Sequence, residues 1–586
     1  MYCRAGIPAN GAKVLLRSFV TTMSIRFTDL KKTATPPKPE NGDESTLNTL
    51  PKEKRTLNHQ HPILIGDRWV ESAGTATFHA TNPATSEPLP DWYPVSVWQD
   101  CEQILDTAQQ AFTELQEIPA EQLAEFLTSY AALLNSDADA ICQTAALETG
   151  LAVSPRLKDV ELLRTMSQLR QASAALLDGS WRMATIDTQY HLRSMYRGLG
   201  PVVVFGPNNF PLAFNAIAGG DFAAAIAAGN PVIAKAHPLH PSTTRLMAEL
   251  AAQAASATRL PPGTIQLIYH LEREDGLRLV ADRRVGAVGF TGSRHGGLAL
   301  KSACDAVGKP VFLEMSSLNP VVMLPGAMRE RCAELITEFS DSCLLAAGQM
   351  CTNPGLILVI QNDDSLLWLQ GVAEQLSQRP AGILFSAGGR DSLHRSVLSV
   401  IEAGARRVVG GEPLPEPGFR YTNTLLTCTA SQFIKTPERF QTEMFGSASL
   451  VVFATDAAEL LRVIDALDGN LTGSIYAARD QSDDEMYRQV AQRLAVKVGR
   501  LNNDKMPTGV IVSPAMCHGG PYPSTGHPGF TAVGIPASIR RFAMLQCYDR
   551  VSDDRLPTWL RNANPNGRCW RWIDDRWTTD DVAVNS

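Results

Sequence analysis

Residues 201–235 read PVVVFGPNNFPLAFNAIAGGDFAAAIAAGNPVIAK. The β-branched run 201–205 has the composition of a buried strand, and 231–235 repeats it. Between them, 212–228 is small and apolar and predicts a helix closed by Gly229. Strands that are apolar on both faces need cover on both sides, which means a parallel sheet with helical crossovers. Working outward, 242–257 predicts the next helix, and 264–269 and 285–290 two further strands. The result is a doubly wound, dinucleotide-binding arrangement.

A second α/β alternation runs from about residue 310 to 501 and predicts a second domain. Upstream, 63–69 is an apolar run closed by a turn. Ile104, Leu105, Ala108, Ala111 and Phe112 then share one helical face, and Leu123, Phe126, Leu127, Tyr130 and Leu134 another. A third helix is expected over 160–175. Residues 183–197 alternate apolar and polar, as a hairpin would.

Composition narrows the function classes. The chain has 586 residues, 44% hydrophobic and 19% charged, ordinary for a globular protein of several units. A net charge of −7 offers no basic surface for nucleic acid or anionic lipid. No apolar run approaches the roughly 18 residues of a membrane span. Eleven cysteines without a Cys-x-x-Cys pair point to a reducing compartment, with neither a disulfide framework nor a metal site expected. The first acidic residue is Asp29, after Arg4, Lys13, Arg17 and Arg26. That bias fits an organelle transit peptide, and equally a true start at Met23. The expected location is cytoplasmic, or an organelle matrix if residues 1–30 form a real transit peptide. Residues 31–61 are too polar to bury a core, so a disordered leader over 1–61 is expected.

Five short stretches carry chemistry. Thr291-Gly292-Ser293-Arg294-His295-Gly296-Gly297 follows a strand and opens a helix, where backbone amides can meet a phosphate. Without G-x-G-x-x-G spacing, the turn is either a phosphate cradle or a plain turn. Pro207-Asn208-Asn209-Phe210-Pro211 lies at a strand's carboxyl end, and its Asn209 amide is either an oxyanion donor or a turn residue. Glu314 ends the apolar run 310–313, so it either pairs with a cation or works as a general base. Glu443 stands similarly before Met444-Phe445-Gly446. Cys351, in Gly348-Gln349-Met350-Cys351-Thr352-Asn353-Pro354, precedes the strand-like run 355–360 and is either a structural thiol or a nucleophile.

Taken together these stretches resemble the aldehyde dehydrogenase superfamily. Pro-Asn-Asn-Phe-Pro (207–211) is similar to its Pro-Trp-Asn-Phe-Pro motif, and Phe-Thr-Gly-Ser (290–293) to its cofactor turn. Leu-Glu-Met-Ser-Ser (313–317), Gly-Gln-Met-Cys (348–351) and Glu-Met-Phe-Gly (443–446) resemble its glutamate, nucleophile and ribose-binding motifs. All five follow the family order across residues 63–548. Further details resemble the 2-oxoglutarate semialdehyde (2,5-dioxopentanoate) dehydrogenase branch: 235–241, 314–320, 351–355, Pro507-Thr508-Gly509-Val510 and His518-Gly519-Gly520-Pro521-Tyr522-Pro523. That branch shares features with NADP-dependent fatty-aldehyde dehydrogenases. Asn208 stands where the family has tryptophan, and Ser316-Ser317 where it has glycines.

The resemblance implies an α/β aldehyde dehydrogenase-like fold with two doubly wound domains and a small β oligomerisation element. The layout expected is a cofactor-binding domain over 62–312 containing a hairpin at 183–199, a catalytic domain over 313–520, and a C-terminal return over 521–586. The assembly implied is a homodimer or homotetramer. Cys351 would be the nucleophile, Asn209 the oxyanion donor and Glu314 the base that activates water. Pro207, Gly292, Ser293, Lys235, His237, Glu443 and Phe445 would hold the cofactor. The family's lysine motif carries a glutamate three residues on, against the adenosine ribose. Here Pro238 removes that repulsion toward a 2′-phosphate, so NADP is expected in preference to NAD, with Lys235 and His237 attracting it.

The substrate's carboxylate needs a cation, and Arg164, Gln168 and Arg170 sit on the helix before the first dinucleotide strand; they are either that cluster or solvated helix polarity. The activity implied is oxidation of 2,5-dioxopentanoate to 2-oxoglutarate in sugar-acid or pentose breakdown. The alternatives are a medium- or long-chain fatty aldehyde as substrate, or a catalytically silent scaffold. The tail after Asp553, rich in tryptophan, is expected to dock on the body.

Overall fold

The computed structural model describes residues 60–583 apart from Glu416 and Pro528. The expected leader lies outside the described residues up to position 59.

The first sheet has the strand order Val311–Glu314, Ala287–Thr291, Val202–Phe205, Val232–Lys235, Ile265–Ile268, then the hairpin Ile63–Ile65 and Arg68–Val70. The five strands after residue 200 are parallel, and the hairpin closes the far edge antiparallel. Val202, Val203, Val204, Val232, Ile233 and Ala234 are fully buried, as two-sided cover requires. The chain winds from Val202–Phe205 out to Ile265–Ile268, then returns to the other side at Ala287–Thr291. The winding therefore reverses between Val202–Phe205 and Ala287–Thr291. Loops leave that point in opposite directions and open a crevice at the carboxyl ends.

One expected element is shorter than its composition predicts. The helix expected over 212–228 covers only Gly220–Ala227. Glu161 Oε1 accepts from the backbone N–H of Leu212 and Ala213 (2.8 and 3.0 Å), and Asn215 Nδ2 donates to the Pro211 carbonyl (2.8 Å). Those bonds hold 212–219 in turns, and a buried carboxylate overrides local helix propensity. The third expected helix, 160–175, is found as Val153–Leu162 in π geometry running into Leu163–Asp178.

The second sheet is Arg406–Val409, Thr424–Thr429, Ala448–Ala454, Leu356–Ile360, Val321–Met323, Asn470–Tyr476 and Val498–Asn503, parallel except at its first strand. The boundary expected between 312 and 313 cuts the strand Val311–Glu314, the last of the first sheet. Glu314 thus stands at that sheet's carboxyl end.

A third sheet contains the expected hairpin, Thr185–Asp187 with Leu192–Gly198, and Ala543–Asp549 pairs along the whole of its second strand. The tail adds Arg571–Ile573, parallel to Thr185–Asp187, and Arg576–Thr578. It docks, as expected: Trp559 lies so close over Gly179 (φ +80°) that a Cβ there would meet its ring at 2.1 Å. No helix among the described residues is long and apolar enough to cross a membrane.

Candidate active site

Cys351 is aimed by a strained turn. The helix Pro325–Leu344 ends, and Ala346, Ala347 and Gly348 then adopt φ of 52, 55 and 70°. Two alanines in this left-handed region cost about 1–2 kcal/mol each, so something must hold them. Gln349 does: its Nε2 donates to the Ala346 and Ile383 carbonyls (3.1 and 3.0 Å), and its Oε1 accepts from Phe385 N–H (2.9 Å). Gly348 is required, because a Cβ there would lie 2.1 Å from the Gly446 carbonyl. Asn319 Nδ2 then donates to the carbonyls of Cys351 and Asn353 (both 2.9 Å) and fixes the residues that follow.

Asn209 reaches the same place from the first sheet. Its Nδ2 donates to the Gln349 carbonyl (3.1 Å), which ties the amide to the backbone leading into Cys351. Its carbonyl accepts from Arg156 Nη2 (3.1 Å), and Arg156 is paired with Glu161 and stacked on Phe210 at 4.6 Å. Glu314 is 1% exposed. Residues 524–526 lie along its strand: Glu314 bridges Thr525, and Met315 N–H donates to the Ser524 carbonyl (2.8 Å).

That apposition brings in a residue to which the sequence assigned no role. His518 Nε2 is 2.9 Å from Glu314 Oε1 and 3.5 Å from Cys351 Sγ, and the ring is 2% exposed. One ring nitrogen faces both groups, so it is within hydrogen-bond reach of the carboxylate and the thiol at once. A serine-protease triad, by contrast, uses the two nitrogens separately. Glu314 Oε2 is buried without a hydrogen-bond partner. Burial, and next the Glu314 charge, push the Cys351 thiol well above its ordinary range, while the Arg164 charge opposes them.

Pro207, Asn209, Gly292, Ser293, Glu314, Cys351, Glu443 and Phe445 line one cavity of about 530 Å³ at the crevice. Ser293 caps the helix Arg294–Asp305, its Oγ accepting from Gly296 N–H (3.2 Å). Burial raises the Glu443 carboxyl, and it accepts from Ser317 N–H at 3.4 Å. Lys235 ends the neighbouring strand, and burial lowers its ammonium to about 8. His237 departs from expectation. Its Nδ1 accepts from Leu239 N–H (3.2 Å), its ring stacks on His240 at 5.4 Å, and burial holds it well below the imidazole range. It is neutral and adds no charge for a 2′-phosphate.

The expected cation cluster divides. Arg164 is the buried member: its guanidinium lies over Phe214 (4.9 Å) and Phe210 (5.5 Å), and its Nε and Nη2 are buried without partners. Phe214 in turn is 6.0 Å from the His518 ring. Gln168 is committed to the Ala213 carbonyl (2.9 Å). Arg170 is exposed and outside the site, because six residues along a helix turn it away from the face shared by positions 164 and 168.

Comparison with known proteins decides the family. The aldehyde dehydrogenase family profile matches residues 69–525. The chain belongs to the aldehyde dehydrogenase family. Among its relatives, alpha-ketoglutaric semialdehyde dehydrogenase 2 of Azospirillum brasilense is 39% identical over 516 residues, 86% of this chain and 97% of that protein. Alpha-ketoglutaric semialdehyde dehydrogenase of Acinetobacter baylyi is 33% identical, over 84% and 94%. Lactaldehyde dehydrogenase from Escherichia coli has the same fold, with a TM-score of 0.72 at 21% identity, covering 83% of this chain and 98% of that one. This aldehyde dehydrogenase is an oxidoreductase acting on the aldehyde group of small molecules.

Proposed function

We propose that this aldehyde dehydrogenase oxidises 2-oxoglutarate semialdehyde to 2-oxoglutarate, with NADP preferred over NAD, as sugar-acid or pentose breakdown would require. The observation that carries the substrate is Arg164: a buried guanidinium whose Nε and Nη2 have no hydrogen-bond partner, stacked on rings that lead to His518 and Cys351. The Glu161 and Glu314 charges act on this guanidinium, but its buried N–H donors are left without acceptors, which is costly unless a ligand supplies one. A semialdehyde with a carboxylate at its far end does so. The 39% identity to an alpha-ketoglutaric semialdehyde dehydrogenase over nearly its whole length supports the same reading.

The chemistry follows from the contacts. Cys351 gives up its proton through His518 to Glu314, which releases it to solvent along the cavity and is a carboxylate again, and the thiolate adds to the aldehyde carbon. The second N–H of the Asn209 amide and the Cys351 backbone N–H, which has no acceptor among the described residues, hold the resulting oxyanion. The thioester left after oxidation is hydrolysed by water, which Glu314 deprotonates. His518, bonded to Glu314 Oε1, leaves Oε2 free to receive that proton.

The cavity fits a dinucleotide: it lies at the switch point, with the capped helix Arg294–Asp305 on one wall and the Glu443 carboxyl on another. Bound there, NAD(P) supplies the hydride acceptor. Gly292, Ser293, Pro207, Glu443 and Phe445 would hold it. Lys235, which donates to no group among the described residues, would meet the 2′-phosphate. On the family resemblance, the hairpin sheet would carry the subunit contacts of a homodimer or homotetramer.

Steady-state assays test the substrate. Replacing Arg164 with Ala raises KM for 2,5-dioxopentanoate by about 10- to 100-fold, the loss of a charged hydrogen bond of roughly 1.5–3 kcal/mol, and leaves hexanal within about twofold. Equal effects on both aldehydes overturn the carboxylate role. Hexanal as the better substrate of the wild type favours the fatty-aldehyde alternative.

A further inference from the structure

Cys351, His518 and Glu314 are far apart in sequence, by 167 and 204 residues from His518, yet their ligating atoms all lie within 4.8 Å of one another. The set consists of one thiol, one imidazole and one carboxylate, the three side-chain types that bind zinc. Zinc–sulfur and zinc–nitrogen bonds of about 2.3 and 2.0 Å at a tetrahedral angle put the two ligand atoms about 3.5 Å apart. The Sγ to Nε2 distance is 3.5 Å. Nε2 and a carboxylate oxygen on one zinc stand about 3.3 Å apart, against 2.9 Å here.

Two further observations point to a cation. Glu314 Oε2 is buried with no hydrogen-bond partner, an acceptor whose need a metal would meet. The cavity opens onto Cys351 and Glu314, which gives an ion a path in and leaves its fourth position to water. His518 is fixed from behind, its N–H donating to Thr531 Oγ1 (2.9 Å) and its carbonyl accepting from Ala532 N–H (2.8 Å), so the imidazole arrives already placed.

We propose that Cys351 Sγ, His518 Nε2 and Glu314 form a three-ligand site for a borderline-soft divalent cation, Zn²⁺, whose occupancy blocks the enzyme reversibly. Binding forms a bond from zinc to the thiolate sulfur, and the thiol proton leaves to solvent. The His518 Nε2 lone pair turns to the metal in the tautomer protonated on Nδ1. No oxidation occurs, so chelation restores the thiol. The site rests on the reading of Cys351 as nucleophile, because only then does its capture stop turnover. Sequence spacing conceals it: the expectation of no metal came from the lack of a local Cys-x-x-Cys pair, and these ligands meet only in the fold.

The test uses the full chain, stripped with EDTA and titrated with Co²⁺ as a spectroscopic stand-in. One equivalent per chain should give a near-ultraviolet thiolate-to-cobalt band with the intense visible bands of a tetrahedral site. Zn²⁺ should displace it and inhibit over the same concentration range, and EDTA should reverse the inhibition. His518→Gln and Glu314→Gln should each weaken Co²⁺ binding at least tenfold, and Cys351→Ser should abolish the charge-transfer band while circular dichroism stays native. Absence of the band in the wild type overturns the proposal, as does equal affinity in wild type and His518→Gln. If Cys351→Ala instead retains turnover, the nucleophile assignment fails whatever the metal does. If only hexanal is oxidised, the substrate reading fails and the metal data stand.

Discussion

Cys343 and Cys351 stand close in sequence and occupy opposite kinds of environment. Cys343 is on the helix Pro325–Leu344, fully buried in the cluster that holds Leu335, Phe339, Ile357 and Trp368, with its thiol 3.4 Å from Ser449 Oγ. Burial pushes it up to about 11. Cys351 lies beyond the left-handed turn, half-buried at the wall of the cavity, and its thiol is raised as well, by burial and by the Glu314 charge. Resting acidity therefore does not separate the proposed nucleophile from the structural thiol. Both are protonated at neutral pH. What separates them is a place for the proton to go and a cavity that admits an aldehyde.

The largest effect should come from exchanging their fates. Cys351→Ala should lower kcat by at least about 10⁴-fold, and Cys343→Ala should leave it within a few-fold, both measured as cofactor reduction. Comparable losses in the two variants would erase the distinction. Next comes the proposed base. Glu314→Gln should lower kcat by about 10²- to 10⁴-fold, and mass spectrometry of the denatured protein should find the acyl group retained on Cys351. A free thiol during turnover would place the slow step before the thioester.

The third effect concerns pH. Because the thiol is raised, iodoacetamide should modify Cys351 slowly at neutral pH and faster as pH rises. The Glu314 charge is one cause of the rise, so Glu314→Gln should move the alkylation midpoint to lower pH even as turnover falls. A midpoint that moved upward would contradict the electrostatic account. Cys343 should stay unmodified throughout in the native protein. The smallest effect is on stability. Cys343→Ala should cost about 1 kcal/mol in urea unfolding through lost packing, and Cys351→Ala less than that, since one side of its thiol already faces the cavity.

Much of this was legible in the chain. Strands at 202–205, 232–235, 265–268 and 287–291 follow from β-branched runs between small-residue helices, and the order of five short motifs brought Asn209, Glu314 and Cys351 to one site. The misreadings share a cause. Residues 212–219 have helical composition, but the Glu161 carboxylate captures their amides from another helix. His237 carries an ionisable ring, but burial beside His240 keeps it neutral. Arg170 has the right charge on the wrong face. His518 had a visible signal, a histidine before two glycines and a proline in a quoted motif, but nothing local gave it a partner.

The sequence by itself determined the alternation of strand and helix, the turns at the strand ends and the identities of the thiol, the carboxylate and the amide, because those properties depend on neighbours along the chain. Tertiary structure alone decided that one imidazole bridges thiol and carboxylate, that Arg164 keeps buried N–H donors without acceptors and that Cys351 opens to a cavity while Cys343 is fully buried. Those facts depend on contacts between distant segments and on how much water each group keeps. Neither can be read from spacing.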